Sequence, residues 1–322
     1  MKNISILVPE TAVIEAVADP VYMFKQVNRF LEAADKPALF NVQLVANNKD
    51  TRLEGSFFSV HADKLLADET ETDLIFIPAL SGDMRTALNL NKEMVPWITE
   101  KYRGGAEVAS LCVGAFLLAE TGLLNGKKCS THWLAANEFR NMFPEVEVVD
   151  GSIITEDQGL YSSGGANSYW NLLLYLVEKY TDRDTAILAS KYFAIDIDRD
   201  SQSGFMMFQG QKDHNDEAVI TAQQYIEANY QEKITVDQLA GMVAVGRRSF
   251  ERRFKKMTGN TVVEYIQRVK IEAAKRSFES SRKNISEVMY DVGYTDTKAF
   301  RTIFKKITGS TPVEYRNRYN KM

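Results

Sequence analysis

The chain has little of what would mark a secreted or membrane protein. Its 322 residues include only two cysteines, Cys112 and Cys129. That is too few for a disulfide framework and suits free thiols in the cytoplasm. No run of eighteen apolar residues occurs, so no transmembrane helix and no membrane partner are predicted. Met1–Pro9 lacks the charged start, apolar stretch and small-residue cleavage site of a secretory signal, and none is read there. Neither a metal nor a cofactor is expected. What remains, 45% hydrophobic and 25% charged, is the composition of a globular chain long enough for two domains.

A net charge of −4 hides an asymmetry. Residues 217–322 hold 20 Lys and Arg against 12 Asp and Glu, a net of +8; residues 1–216 hold the other 19 against 31, a net of −12. An acidic body carrying a basic end suggests that one end meets a polyanion, although clustering on solvated helix faces would look the same.

The first two hundred residues alternate short apolar runs with helical patterns. Ile4–Val8, Val42–Ala46, Leu74–Pro78 and Val108–Cys112 read as strands, and Tyr22–Ala34, Leu88–Lys101, Gly114–Leu124 and Ser168–Tyr180 as amphipathic helices. That alternation predicts an α/β domain at 1–195, a parallel sheet with helices on both faces. Residues 196–216 are polar, rich in Gly and Asp and aperiodic, and read as a linker whose FMMF patch docks on one of the domains. From 217 to 322 the pattern is helical almost throughout.

That helical part repeats itself. Ser249–Arg268 (SFERRFKKMTGNTVVEYIQR) and Ala299–Arg318 (AFRTIFKKITGSTPVEYRNR) align without a gap and share 11 of 20 residues, so a duplicated unit is inferred. Thr235 with Gln238, and Asn284 with Glu287, have the spacing of capping boxes. Gly259 and Gly309 suit left-handed helix ends, and Pro312 suits a first helical turn. A helix from Val236 to about Val243, a turn at Ala244–Gly246 and a second helix make a helix-turn-helix. If Phe250 and Phe254 pack inward, the opposite face presents Arg247, Arg248, Glu251, Arg252 and Lys255; its counterpart presents Thr297, Lys298, Arg301, Thr302 and Lys305. Base edges in a major groove are the expected partners of Arg248, Glu251, Arg252, Thr297, Lys298, Arg301 and Thr302. Phosphates are the expected partners of Arg247, Lys255, Lys256, Lys305 and Lys306, and also of Arg268, Arg276 and Lys283. A helical interaction domain with solvated charges is the competing reading.

LAGMVAVGRRSFERRFKKMTG and ISEVMYDVGYTDTKAFRTIFKKITGSTPVEYR resemble the AraC-type DNA-binding domain. The resemblance spans residues 217–322 and implies seven helices, with two recognition helices entering successive major grooves of double-stranded DNA. Gly246 stands where a serine-like cap is common, and Tyr290 where alanine is usual.

In the first half, Cys112 lies where a strand meets a helix. Gly114, two residues on, allows a sharp turn that would expose the thiol, and the helix N-terminus would lower its pKa. His132 is a candidate base, although a lone buried cysteine is more often structural. The segment VASLCVGAFLLAETGLLNGKKCSTHW and the later LYSSGG resemble the ThiJ/PfpI-like branch of the class I glutamine-amidotransferase fold, over roughly residues 3–195. That resemblance implies a flavodoxin-like architecture. The family's acidic residue, counted back from Pro20, falls on Ala16; Glu15 sits one residue earlier. Asn171 replaces a common aspartate and Val113 a frequent threonine. Cys112, His132, Glu15 and Gly114 therefore frame either a ligand pocket or a vestigial nucleophile site.

A ThiJ/PfpI-like domain followed by an AraC-type domain is the arrangement of GlxA-type regulators, which the chain resembles end to end. The resemblance implies a transcription regulator controlled by a small-molecule effector, dimeric through its N-terminal domain, with RNA polymerase as a further partner. Two alternatives stay open. One is a cysteine-dependent hydrolase or glyoxalase-like enzyme carrying a DNA-binding domain; the other is an architectural DNA binder. An oxidant-sensing Cys112 would need to be exposed and acidic.

Overall fold

The apolar residues of the first half sort onto the two faces of one sheet. The computed structural model describes residues 1–320 apart from 54, 56, 69, 70, 198–200 and 213. It divides into two compact units, Met1–Gln202 and Ser203 onward. In the first, the strands are β1 (Lys2–Leu7), β2 (Phe40–Ala46), β3 (Asp50–Arg52), β4 (Ser59–His61), β5 (Lys64–Leu65), β6 (Leu74–Ile77), β7 (Glu107–Ser110), β8 (Lys128–Cys129), β9 (Glu147–Val148), β10 (Ile154–Asp157) and β11 (Leu160–Ser163). Seven of them form the main sheet, in the order β10-β11-β7-β6-β1-β2-β5. Every pairing in it is parallel except β10 with β11, so the sheet is mixed at one edge.

The helices of this unit are α1 (Ile14–Ala33), α2 (Met84–Leu90), α3 (Met94–Arg103), α4 (Ala115–Glu120), α5 (Ala136–Met142), α6 (Tyr169–Tyr180) and α7 (Arg183–Phe193). Ile4, Ile6, Leu74 and Phe76 point to the face covered by α1, α6 and α7. Leu7, Val45, Ile75 and Ile77 point to the face covered by α2 to α5. This is the period-two sorting of a sheet buried on both sides.

Two helices differ from the pattern read in the sequence. The one expected from Tyr22 begins at Ile14 and carries Pro20 in its interior. An internal proline costs a helix about 3 kcal/mol. Here the buried stripe Ala16, Val17, Pro20, Met23, Phe24, Val27 and Leu31 outweighs it. The one expected over Leu88–Lys101 is two helices broken at Asn91, whose side chain is wholly buried. Its amide donates to Ala87 O and Thr11 Oγ1, and its Oδ1 accepts from Glu10 N–H at 2.9 Å. The break thereby holds the loop that leaves β1.

The second unit contains α8 (Glu217–Ala228), α9 (Val236–Met242), α10 (Arg247–Thr258), α11 (Val262–Ser280), α12 (Ile285–Asp291), α13 (Thr297–Thr308) and α14 (Pro312–Tyr319). It has two small cores. One gathers Val219, Ile226, Leu239, Phe250, Phe254 and Tyr265; the other gathers Ile271, Phe278, Val288, Met289, Phe300, Phe304 and Tyr315. Helix α11 serves both, with Tyr265 in the first and Phe278 in the second. At 1.5 Å per residue it is about 28 Å long. Among the described residues no helix is long and apolar enough to cross a membrane.

Much of the segment read as a linker is docked. Residues 198–200 and 213 lie outside the described residues. Ser201 Oγ and Gln202 N–H both donate to Gly151 O in the first unit. In the second, Lys275 Nζ donates to Met206 O at 2.5 Å, and Phe208 N–H donates to Glu272 Oε2 at 3.1 Å. Of the FMMF patch, Phe205 and Met207 are about half exposed, whereas Phe208 stacks edge-on against Tyr265 at 5.0 Å.

Candidate functional site

The repeat in the sequence is a repeat in geometry. Phe250 and Phe254 lie 5.6 Å apart, and Phe300 and Phe304 5.7 Å, centroid to centroid. Phe254 meets Tyr265 at 5.3 Å, as Phe304 meets Tyr315 at 5.5 Å. Thr258 and Thr308 each donate to the carbonyl four residues back at 2.8 Å. Gly259 and Gly309 end the helices at φ of 68° and 75°. Full capping boxes open α11 at Thr261 and Glu264, α12 at Asn284 and Glu287, and α14 at Thr311 and Glu314. The box expected at Thr235 is half formed: Thr235 caps Gln238 N–H, but the Gln238 amide donates to Tyr225 OH instead.

The copies differ in the turn. Four residues, 243–246, separate α9 from α10, and five, 292–296, separate α12 from α13. The left-handed position is Ala244 (φ 52°) in the first turn and Gly293 (φ 75°) in the second. At Gly293 a Cβ would sit 2.1 Å from Gln231 O, so glycine is required there.

With the phenylalanines inward, Arg248, Arg252, Thr297, Lys298, Arg301 and Thr302 are exposed, as are Lys255, Lys256, Lys305 and Lys306. Glu251 is half-buried. Arg247 is exposed but engaged, 2.8 Å from Asp237 Oδ2 and 3.5 Å from Glu251 Oε1. On one side of α10, Glu251, Arg252, Lys255 and Lys256 border a cleft of about 440 Å³ closed by Val236 and Val262. Three further basic residues expected at phosphates have other surroundings. Arg268 lies over the Phe208 ring at 5.8 Å, Lys283 pairs with Asp291 at 2.7 Å, and Arg276 lines a cleft shared with Phe208.

The cysteine of the first unit departs from its expected state. Cys112 occupies a single 3₁₀ turn after β7 at φ 56°, a strained angle for a side-chain-bearing residue. The thiol is buried rather than exposed. Burial pushes its pKa up to about 11, against a smaller lowering by the Val113 N–H. The shift is therefore opposite to the lowering expected, because desolvation of the charge outweighs the helix end. Gly114 is needed for a different reason from the one inferred. Its own φ is ordinary, but a Cβ there would lie 2.5 Å from Pro78 O and 2.6 Å from Ile77 O.

His132 is engaged elsewhere in this structure. Among the described residues no hydrogen bond joins it to the Cys112 thiol; His132 Nδ1 accepts from Leu134 N–H at 3.2 Å, and the ring stacks on Trp133. Burial lowers its pKa, so the ring is neutral at pH 7, with its proton on Nε2. Glu15 is exposed. The acidic residue that is held in place is Asp19, one helical turn along the same face of α1. Asp19 Oδ2 accepts from Tyr169 OH at 2.6 Å, and burial raises its pKa despite that bond. Sequence reasoning missed Asp19 and Tyr169, although the four-residue spacing of Glu15 and Asp19 was a usable signal. Asn171, in place of an aspartate, donates to Asp196 O at 2.6 Å, which a carboxylate cannot do.

Behind Cys112, backbone and side chains interlock. Cys112 N–H donates to Ser163 Oγ, Thr131 Oγ1 donates to Cys112 O, and Gln202 Nε2 donates to Thr131 O, at 3.1 to 3.2 Å.

The DJ-1/PfpI family model matches residues 4–179, and a helix-turn-helix domain model matches residues 239–318. The chain belongs to the DJ-1/PfpI family. Its second unit is an AraC-type helix-turn-helix domain, and the pair has the arrangement of GlxA-type regulators. GbdR of Pseudomonas aeruginosa, an HTH-type transcriptional regulator, is 25% identical over 220 residues, 68% of this chain and 60% of its own. CdhR of the same organism, also such a regulator, is 22% identical over 249 residues, 77% of this chain and 73% of its own. GlxA of Rhizobium meliloti is 22% identical over 201 residues, 62% of this chain and 61% of its own. This chain thus spans about three fifths of the length of GbdR.

For the fold, two crystal structures align. A protein of Vibrio parahaemolyticus described as a transcriptional regulator gives a TM-score of 0.53 at 21% identity, over 59% of this chain and 98% of its own. A ThiJ/PfpI family protein of Pseudomonas syringae gives 0.51 at 16% identity, over 63% and 78%. The helix-turn-helix domain, and sequence relatives named as transcriptional regulators, are the grounds for the functional reading.

Proposed function

We propose that this protein is a transcription regulator that reads DNA with α10 and α13 and is controlled by a small molecule held, not converted, by its N-terminal domain. The observation that carries the DNA reading is the repetition of one geometry: two inward phenylalanine pairs, each leaving basic and polar side chains outward. Arg248, Glu251 and Arg252 on α10, and Thr297, Lys298, Arg301 and Thr302 on α13, read base edges. Lys255, Lys256, Lys305 and Lys306 neutralise phosphates, and Arg247 joins them by exchanging its carboxylate partners for a phosphate. The protein works in the cytoplasm as a dimer through its N-terminal domain, and at a promoter it meets RNA polymerase.

What supports binding over turnover is the state of Cys112: a buried, neutral thiol without a hydrogen-bonded base is a poor nucleophile. An effector acts by binding two arrangements of the protein unequally. The test is a thermal-shift screen of metabolites on the intact protein, followed by DNA affinity with and without each hit. A hit that changes DNA affinity in both wild type and Cys112→Ala supports the reading. Consumption of the hit by wild type but not by Cys112→Ala would replace it with the enzyme reading.

A further inference from the structure

A cleft of the first unit is bordered by none of the residues discussed around Cys112. It occupies about 320 Å³ beside α3 and is bordered by Asn47, Leu66, Glu93, Pro96, Trp97 and Glu100. Asn47 follows β2, and Leu66 follows β5, so both stand at the carboxyl ends of parallel strands. Glu93, Pro96, Trp97 and Glu100 recur at the i, i+3, i+4, i+7 spacing of a single helix face.

Among the described residues, two polar atoms here have no hydrogen-bond partner. Trp97 is only 7% exposed, and its indole N–H has no acceptor; Asn47 Oδ1 is buried and has no donor. One is a donor and the other an acceptor, yet they do not bond to each other. Buried polar groups are nearly always satisfied, so an unmatched donor and acceptor on two residues that border one cleft ask for a group that supplies both complements. The rim adds charge. Among the described residues neither Glu93 nor Glu100 has a cationic partner, and both carboxylates are exposed within one turn of Trp97. The indole already carries a cation on its face, with Lys101 Nζ 5.8 Å from the ring centroid.

We propose that this cleft binds a small organic cation that also bears a carbonyl oxygen, of the amino-amide type. The ammonium lies between Glu93 and Glu100, one N–H reaches Asn47 Oδ1, and the carbonyl accepts from Trp97 Nε1. The site shares no lining residue with α10, α13 or the surroundings of Cys112.

The test uses the full chain labelled with ¹⁵N at its three tryptophan indoles. The Trp97 resonance is assigned with Trp97→Phe. Glycinamide is the probe, with ethylammonium lacking the carbonyl and acetamide lacking the charge. The expected result is a saturable shift of the Trp97 indole N–H with glycinamide and weaker responses to the other two. Glu93→Gln and Glu100→Gln, both at exposed positions, should each weaken glycinamide binding about fivefold, as an exposed charge pair allows. No saturable shift at millimolar glycinamide, an equal response to acetamide, or binding unchanged in the double Gln variant would each overturn the proposal.

Discussion

Arg253 grips Asp216 with two parallel hydrogen bonds, Nε to Oδ2 at 2.8 Å and a terminal nitrogen to Oδ1 at 2.7 Å. Asp216 also caps α8 by accepting from Val219 N–H. The pair therefore ties the inner side of α10 to α8, the helix that opens the domain. Asp216→Ala removes the cap as well, and a lost cap alone costs about 1 kcal/mol. Urea unfolding should show at least that loss. Arg253, followed by the Val219 N–H, holds the Asp216 carboxyl below its usual range. Its stabilisation is therefore complete above the unfolded carboxylate pKa of about 4. It fades as pH falls through the lower folded value, a fading that Asp216→Ala should not show.

The second turn should be far less tolerant than the first. Gly293→Ala adds a Cβ that meets a backbone carbonyl in addition to adopting a left-handed φ. Such a clash places the change among the large destabilisations, above about 2 kcal/mol. Ala244→Gly relieves a left-handed alanine and should be neutral or mildly stabilising. Thermal unfolding of the two variants checks the contrast.

The docked connector rests on a buried ion pair. Lys275 and Glu272 are 2.8 Å apart with side chains 4% and 9% exposed, and they hold Met206 O and Phe208 N–H respectively. Glu272→Ala strands the lysine charge and should cost about 3 kcal/mol or more. Replacing both residues with Met should cost less than that single change. Calorimetry on the three variants tests this.

Neither thiol should react in the native protein. Burial pushes the Cys112 pKa up to about 11 and the Cys129 pKa up to about 12. At pH 7.5 iodoacetamide should modify both residues only after unfolding. Rapid native-state alkylation of Cys112 would count against the buried-thiol reading.

How much of this was legible in the chain depended on how local the cause was. The duplicated helix-turn-helix could be read because Phe250, Phe254, Gly259 and their counterparts are fixed by periodicity and backbone conformation. Strands β1, β2, β6 and β7 could be read from their apolar runs, but their order in the sheet could not, because the pairing partners are remote in sequence. The state of Cys112 could not be read, since burial is set by segments remote in sequence, Thr131 and Ser163 among them. Asp19 was passed over because Pro20 masked a helix that packing sustains. Lys275 and Glu272 look like an ordinary surface pair at i, i+3. Only the fold buries them, and their partners, a carbonyl and an amide of the connector, leave no side-chain signature.

The central claim, that α10 and α13 read DNA together, is most directly tested by selecting bound sequences from a random double-stranded pool at near-physiological salt. Wild type should enrich a motif of two blocks about one helical turn, about 34 Å, apart. Arg252→Ala should relax one block and Arg301→Ala the other, each by about 1–3 kcal/mol of discrimination. Lys256→Ala should weaken binding evenly and lower the salt slope by about one. A single block, or two blocks that ignore both arginine substitutions, would contradict the account.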